Sequence, residues 1–283
     1  MVLPAPFGQR LADGMARLGP LCVGIDPHAA TLAAWDLPDD ARGLEIFGLR
    51  LVEAAAGTAP AVKPQAAFFE RHGAAGLAAL ERVLAAARAA GLLTILDVKR
   101  GDIGSTMAGY AQAYLGEGAP LAADAITVSP YLGFGSLRPA IDLAQAGGKG
   151  LFVLALTSNP EGPEVQAAVG PDGLTVAGRI LRQLGQLNAG ATGLGSFGAV
   201  VGATIQPPEG ADAAALATMG GPFLAPGIGA QGAGPAQLAA VFGPVRRHVL
   251  AASSRAIAAA GPSVAKVRGA IGQAVAELLP ALA

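Results

Sequence analysis

The chain has 283 residues, of which 52% are hydrophobic and 14% charged, and its formal net charge is −1. This length suits one large domain with a substantial core, and the absence of a basic surplus argues against a nucleic-acid partner. The long charge-free segment at residues 183–208 is interrupted by glycines and prolines, so no membrane span is expected.

The single cysteine and the first residues indicate the cellular compartment. With Cys22 alone, no intramolecular disulfide can form, and its apolar surroundings in the sequence are typical of a buried, inert thiol. Residues 1–10 lack the charged and then apolar layout of a signal peptide. We therefore expect a soluble protein in the reducing cytoplasm.

Eight short apolar runs recur along the chain, and most of them end in a polar or turn residue. Between the runs, apolar residues recur at helical spacing, most clearly in residues 44–55 and 77–87, and Gly57 and Gly91 are placed to end these two helices. The runs predicted as strands are residues 21–25, 61–62, 92–96, 125–128, 151–156, 199–203, 223–228 and 249–252.

The spacing of these runs predicts the fold. Most consecutive runs are separated by enough residues for one crossover helix, and the longest interval holds a glycine-rich insert at 190–198. Eight such units without a linker predict an α/β protein, a single-domain (β/α)8 TIM barrel over residues 1–283. A doubly wound open sheet is the alternative, because periodicity alone does not distinguish a closed sheet from an open one.

The polar residues at the strand ends predict where the functional site lies. In (β/α)8 barrels the C-terminal ends of the strands build the active site, and the loops after strands seven and eight commonly bind a phosphate. The residues that this rule collects are Asp26, Lys63, Asp97, Lys99, Ser158, the segment 227–234 and Arg255.

Residues 97–102 concentrate charge at the end of an apolar strand. Asp97 and Lys99 project to the same side because side chains alternate along a strand, and in a buried strand that side is the interior or a pocket. A structural ion pair is the plain alternative, but Lys63 ends a different run and adds a third charge. Asp102 follows at a helix start, within reach of the same pocket or of a neighbouring subunit. Such alternating charges can hold a lysine protonated beside a reacting atom.

Three further segments have both a functional and an ordinary interpretation. Asp26 precedes a proline and could be a turn or capping residue, and Ser158 lies in a sequence that also suits a turn. The glycine-rich segment 227–234 offers backbone N–H groups to an anion, although a flexible turn has the same composition. Arg255 strengthens the anion interpretation, because a guanidinium can bind a phosphate with two hydrogen bonds.

A bound metal is not expected. His28, His72 and His248 lack the spacing of metal ligands, so we expect surface or structural roles for them. The carboxylates at the strand ends are interleaved with lysines, whose ammonium groups would compete with a divalent cation.

With these motifs collected, the chain resembles the orotidine 5′-phosphate decarboxylase family, in its longer bacterial subgroup (type 2), over nearly its whole length. The most specific match is the segment 97–106, Asp-Val-Lys-Arg-Gly-Asp-Ile-Gly-Ser-Thr, which carries the D-x-K-x-x-D signature of that family. Supporting matches lie at residues 24–27, 62–65, 157–160, 226–232 and 253–257.

The resemblance implies a cofactor-free decarboxylation of orotidine 5′-monophosphate to UMP and CO2, the last step of de novo pyrimidine synthesis, by a homodimer with shared active sites. It implies that Lys99 donates a proton to C6, that Asp97 faces the departing carboxylate, and that Lys63 completes the charged array. The other implied roles are ribose binding by Asp26, service to the partner's site by Asp102, Ile103 and Thr106, pyrimidine contact by Ser158, and phosphate binding by Gln231 and Arg255.

Three alternatives are open at this point. A related keto-sugar-phosphate decarboxylase shares the barrel and the signature, but it places an acidic residue for Mg²⁺ where this chain has Lys63. A Schiff-base aldolase would use Lys63 or Lys99 as its nucleophile. A non-enzymatic binder of phosphate ligands has no need of the intact lysine and aspartate set.

Overall fold

The computed structural model describes residues 4–227 and 234–282. Consecutive strands pair in parallel and the last pairs with the first, which closes the sheet into a barrel. The predicted (β/α)8 TIM barrel is confirmed, and the open-sheet alternative is wrong. The strands are β1 (Leu21–Ile25), β2 (Ala61–Pro64), β3 (Leu93–Arg100), β4 (Ala125–Val128), β5 (Gly150–Leu156), β6 (Phe197–Val201), β7 (Phe223–Pro226) and β8 (Val249–Ser253).

Helices surround the barrel. The helical patterns predicted at 44–55 and 77–87 lie in the third and fifth of them, and each ends two residues before a glycine with positive φ, 74° at Gly57 and 70° at Gly91. The helices are α1 (Phe7–Leu18), α2 (Ala29–Ala34), α3 (Ala41–Ala55), α4 (Ala66–Glu70), α5 (Gly73–Ala89), α6 (Gly104–Leu115), α7 (Arg138–Ala146), α8 (Gly162–Gln166), α9 (Val176–Asn188), α10 (Gly210–Thr218), α11 (Pro235–Phe242), α12 (Arg255–Ala258) and α13 (Val264–Leu282).

The strands differ from the predicted runs mainly at their ends. Strands β2 and β3 continue through Pro64 and Arg100, so the charged residues expected after them lie inside them. Strand β6 begins two residues before the predicted run and includes Gly198, which the sequence assigns to the preceding insert. A Cβ at Gly198 would lie 2.7 Å from the ring of Phe152, so only glycine fits this part of the strand. The seventh predicted run extends to residue 228, outside the described residues.

The apolar core has two parts. The larger fills the space between the strands and the surrounding helices, and the smaller fills the barrel interior. Helix α1 covers the N-terminal opening of the barrel, where Phe7 packs edge-on against Phe152 with ring centroids 5.9 Å apart. Cys22 belongs to the interior cluster, and burial raises the pKa of its thiol to about 12, which agrees with an inert thiol.

Each helix among the described residues is either too short or too polar to span a lipid bilayer.

Candidate active site

The alternation of side chains along β2 and β3 places charge above the apolar interior. Ala61 and Ile95 belong to the interior cluster, and two positions further along each strand, on the same face, come Lys63 and Asp97. Both charged residues are buried, at 7% and 6% exposure. They lie towards the C-terminal end of the barrel, opposite the end covered by α1.

Asp97 is the centre of the charged cluster. Its Oδ2 accepts hydrogen bonds from Lys63 Nζ at 2.8 Å and from Gln65 Nε2 at 3.0 Å. Its Oδ1 accepts from Lys99 Nζ at 2.6 Å and from the hydroxyl of Thr127 at 2.8 Å. A buried carboxylate is stable only with such partners, and here each oxygen has one cation and one neutral donor.

Electrostatic partners keep this cluster charged. Burial alone would raise the pKa of Asp97, but the ammonium groups of Lys63 and Lys99 outweigh it and hold that pKa well below its ordinary value. Burial would likewise lower the pKa of Lys63, but the carboxylates of Asp97 and Asp26 outweigh it and raise that pKa. Lys63 is therefore an ammonium ion at neutral pH and not a free amine.

Lys99 differs from the other two members of the cluster. Its side chain is 47% exposed, and its backbone has a positive φ of 45°. Strand β3 is irregular here, because its register on β4 shifts between Leu96 and Arg100. This bulge carries Lys99 to the wall of a cavity, where its ammonium remains attached to Asp97.

The cavity has a volume of about 760 Å³ and opens at the C-terminal end of the barrel. Four of the residues predicted for the site line it: Asp26, Asp97, Lys99 and Arg255. Lys63 adjoins them through Asp97 and lies 4.0 Å from Asp26 Oδ1. That oxygen is buried and accepts no hydrogen bond within the described part of the chain.

The other predicted site residues do not line this cavity in the single chain. Asp102, Ile103 and Thr106 lie at the start of α6, where Asp102 accepts a hydrogen bond from the backbone N–H of Ile103 and Ile103 is 62% exposed. Ser158 is exposed just after β5. Gln231 lies outside the described residues.

Sequence reasoning missed several residues of the site. Gln65 could have been found, because it follows Lys63 by two positions and the alternation extends to it. His28 also lines the cavity and packs against Phe68, with ring centroids 4.3 Å apart, although the sequence indicated no site role for it. Arg100 at the end of β3 forms an ion pair with Glu70, and the sequence around Arg100 did not indicate this pair.

Across residues 4–227 and 234–282, no three His, Cys, Asp or Glu side chains lie together as a cation site would require. A metal-free reaction stays a prediction.

Comparison with known proteins agrees with the resemblance found in the sequence. The family model described as "Orotidine 5'-phosphate decarboxylase / HUMPS family" matches residues 19–270. A protein of Streptomyces coelicolor named orotidine 5′-phosphate decarboxylase is 55% identical over 277 residues, 98% of each chain. A crystal structure from Streptomyces avermitilis has a TM-score of 0.94 at 55% identity and covers 99% of this chain and 97% of its own. The OMP decarboxylase of Leishmania donovani has a TM-score of 0.75 at 34% identity, with 98% of each chain covered. The chain therefore belongs to the orotidine 5′-phosphate decarboxylase / HUMPS family.

Proposed function

We propose that this protein decarboxylates orotidine 5′-monophosphate to UMP and CO2, without a cofactor, in de novo pyrimidine synthesis. The observation that carries the proposal is the Lys63, Asp97 and Lys99 array, whose Asp97 and Lys99 line a cavity together with Asp26 and Arg255. The family model and the full-length relative named for this activity support it.

Lys99 has the central role in this mechanism. When the bond from C6 to the carboxylate breaks, CO2 leaves and an electron pair stays in an in-plane orbital that the ring cannot delocalise. A cation fixed near C6 stabilises that pair, and Lys99 Nζ then delivers its proton to C6. Asp97 accepts a hydrogen bond from the Lys99 ammonium at 2.6 Å and so holds it in place, while Lys63 balances the buried carboxylate.

The remaining residues position the nucleotide. Asp26 Oδ1 is a buried acceptor with an open hydrogen-bonding position in the described part of the chain, which suits a ribose hydroxyl. Arg255 and Gln231 bind the phosphate, and Ser158 contacts the pyrimidine. Binding energy from the remote phosphate fixes the reacting geometry and so contributes to the rate.

Two identical subunits complete each site in this proposal. Ile103, Tyr131 and Leu132 are large apolar residues, 62%, 76% and 54% exposed, on the segments that follow β3 and β4. Exposed apolar surface of this kind is typical of a protein interface. Asp102 and Thr106 flank Ile103 in the chain, so an interface here would carry them towards the partner's cavity.

Mixing two inactive variants tests the shared site. If Lys99 and Asp102 act in the same site from different chains, a heterodimer of Lys99→Ala and Asp102→Asn has one intact site. Random exchange should then restore about one quarter of the wild-type activity. No recovery in a mixture shown by native mass spectrometry to contain heterodimers would refute the crossover. Tyr131→Asp should shift the sedimentation coefficient towards the monomer, and Leu279→Asp on the exposed face of α13 is the matched control.

The extent and location of the protein are also proposals. We infer a single domain over residues 1–283 and a cytoplasmic location. The free, buried thiol of Cys22 supports the location, because free thiols are typical of reducing compartments. Fractionation of cells with an antibody against the native chain would test the location.

The charge state of Lys63 weakens the aldolase alternative. A Schiff base forms from a neutral amine, and the carboxylates of Asp97 and Asp26 raise the pKa of Lys63. Borohydride trapping with a keto-sugar phosphate should therefore leave Lys63 unmodified.

The decisive experiment follows the absorbance of orotidine 5′-monophosphate after exhaustive treatment of the protein with EDTA. We expect full decarboxylation by the chelated protein, with a Lys99→Ala preparation as the matched negative control. Loss of activity on chelation and its return with Mg²⁺ would refute the metal-free mechanism. No turnover of this nucleotide under either condition would refute the proposed function.

A further inference from the structure

Thr127 lies on β4 opposite the irregular part of β3. Leu96 pairs with Ile126 and Arg100 pairs with Val128, so the three residues 97–99 of β3 face Thr127 alone. A bulge of this kind leaves backbone groups without partners in the ladder. Here the backbone N–H of Lys99 donates to the hydroxyl of Thr127 at 2.9 Å, so the side chain replaces the missing strand partner.

The same hydroxyl also holds the acidic partner of Lys99. Its proton is donated to Asp97 Oδ1 at 2.8 Å, and this is the oxygen that accepts Lys99 Nζ at 2.6 Å. A hydroxyl has one proton, so Thr127 accepts from the Lys99 backbone and donates to the Asp97 carboxylate. Thr127 is only 1% exposed, and neither bond competes with solvent.

We propose that Thr127 is a positioning residue for the proton donor, an inference that rests on the proposed function of Lys99. Thr127 fixes Lys99 at both ends, the backbone directly and the ammonium through Asp97. The positive φ of Lys99 is unfavourable for a residue with a side chain, so this conformation needs a specific partner to hold it. Thr127 is not among the residues that line the cavity, so its removal should affect the chemical step and not nucleotide binding.

The test replaces the hydroxyl without changing the shape of the side chain. Thr127→Val removes both hydrogen bonds, and Thr127→Ser restores them without the methyl group. Thr94→Val is a closely matched control, because Thr94 is also buried, accepts from the backbone N–H of Asp124 at 3.0 Å and donates to its carboxylate at 3.0 Å. Thr94 lies at the opposite end of β3, away from the cavity. If Thr127→Val does not fold, Thr127→Cys keeps the size and weakens the hydrogen bonds.

We expect Thr127→Val to lower kcat by about 10- to 100-fold, because a hydrogen bond to a buried charge is lost. KM should stay within about threefold, and Thr127→Ser should recover most of kcat. Thr94→Val should lower the melting temperature like Thr127→Val and leave kcat within about twofold. A kcat for Thr127→Val within twofold of wild type, or a Ser variant as impaired as the Val variant, would overturn the inference.

A measurement without substrate separates this inference from the proposed function. Acetic anhydride labelling of Lys99, followed by mass spectrometry, should be faster in Thr127→Val than in wild type and in Thr94→Val, because the ammonium is held less firmly. An inactive wild-type protein would refute the proposed function alone. An unchanged labelling rate in Thr127→Val would overturn the positioning role whatever the activity.

Discussion

Replacing Lys63 by methionine tests how the buried cluster is held together. The substitution keeps an unbranched chain and removes the cation that Asp97 Oδ2 binds at 2.8 Å. Asp97 then keeps one ammonium partner, Lys99, whose side chain is 47% exposed and partly screened by water. Removing one member of a buried ion pair costs about 3–5 kcal/mol. At roughly 2–4 °C per kcal/mol for large domains, the melting temperature should fall by about 6–20 °C.

An exposed pair of equal length provides the control. Arg82 and Glu45 also lie 2.8 Å apart, but the Arg82 side chain is 52% exposed. Arg82→Met should therefore leave the free energy of unfolding close to that of the wild type. Urea unfolding of both variants at neutral pH measures the difference. A loss of under about 1 kcal/mol for Lys63→Met would refute the argument that burial makes this pair strong.

The pH dependence of that difference follows from the two pKa shifts. The folded-state pKa of Asp97 is lowered, so its contribution is present above the unfolded value of about 3.9 and is lost as pH falls towards the folded value. The folded-state pKa of Lys63 is raised, so its contribution is complete below about 10.4 and is lost as pH rises further. The gap between wild type and Lys63→Met should be constant from about pH 5 to 9 and shrink outside that window. A gap that persists undiminished in acid would mean that the Asp97 charge is not its origin.

Four further outcomes are expected. Lys99→Ala should abolish decarboxylation while calorimetry still detects UMP binding; normal turnover would exclude Lys99 as the acid. Arg255→Ala should lower kcat/KM roughly 100-fold or more, and a change of only a few-fold would remove its phosphate role. Gly150→Ala would place a Cβ 2.3 Å from the ring of Phe7, and such overpacking should cost about 1–3 kcal/mol in urea unfolding. Cys22, with its pKa raised to about 12, should resist iodoacetamide near pH 8 in the native protein and react fully once unfolded, so rapid native labelling would contradict its burial.

The barrel and the centre of the site could be predicted because both depend on patterns that short segments carry. Eight apolar runs with helical spacing between them specify the closed sheet, and two of the runs coincide with β1 and β4. The rule that strand ends build the site collected Asp26, Lys63, Asp97, Lys99 and Arg255. These are the predicted residues that the structure brings together.

What the sequence did not reveal depends on contacts between distant segments. Thr127 is a β-branched residue of the kind that is common in strands. Its presence there gave no sign that its hydroxyl binds Asp97 and the backbone of Lys99. A positive φ at a lysine has no local sequence signal, unlike the same conformation at Gly57. Asp102 and Ile103 point to a second reason: their predicted roles need a partner subunit, and the fold of one chain does not test them.

Helix α1, which covers the N-terminal opening of the barrel, has a consequence for how substrate enters and product leaves. With Phe7 and Leu11 buried beneath the strands, the described residues leave a nucleotide one opening to the site, at the rim where Lys99 and Arg255 lie. Substrate and product would then use the same opening, and the product nucleotide would have to leave before the next substrate could bind. Product release can thus be the slowest step of each cycle, instead of the breaking of the bond from C6 to the carboxylate.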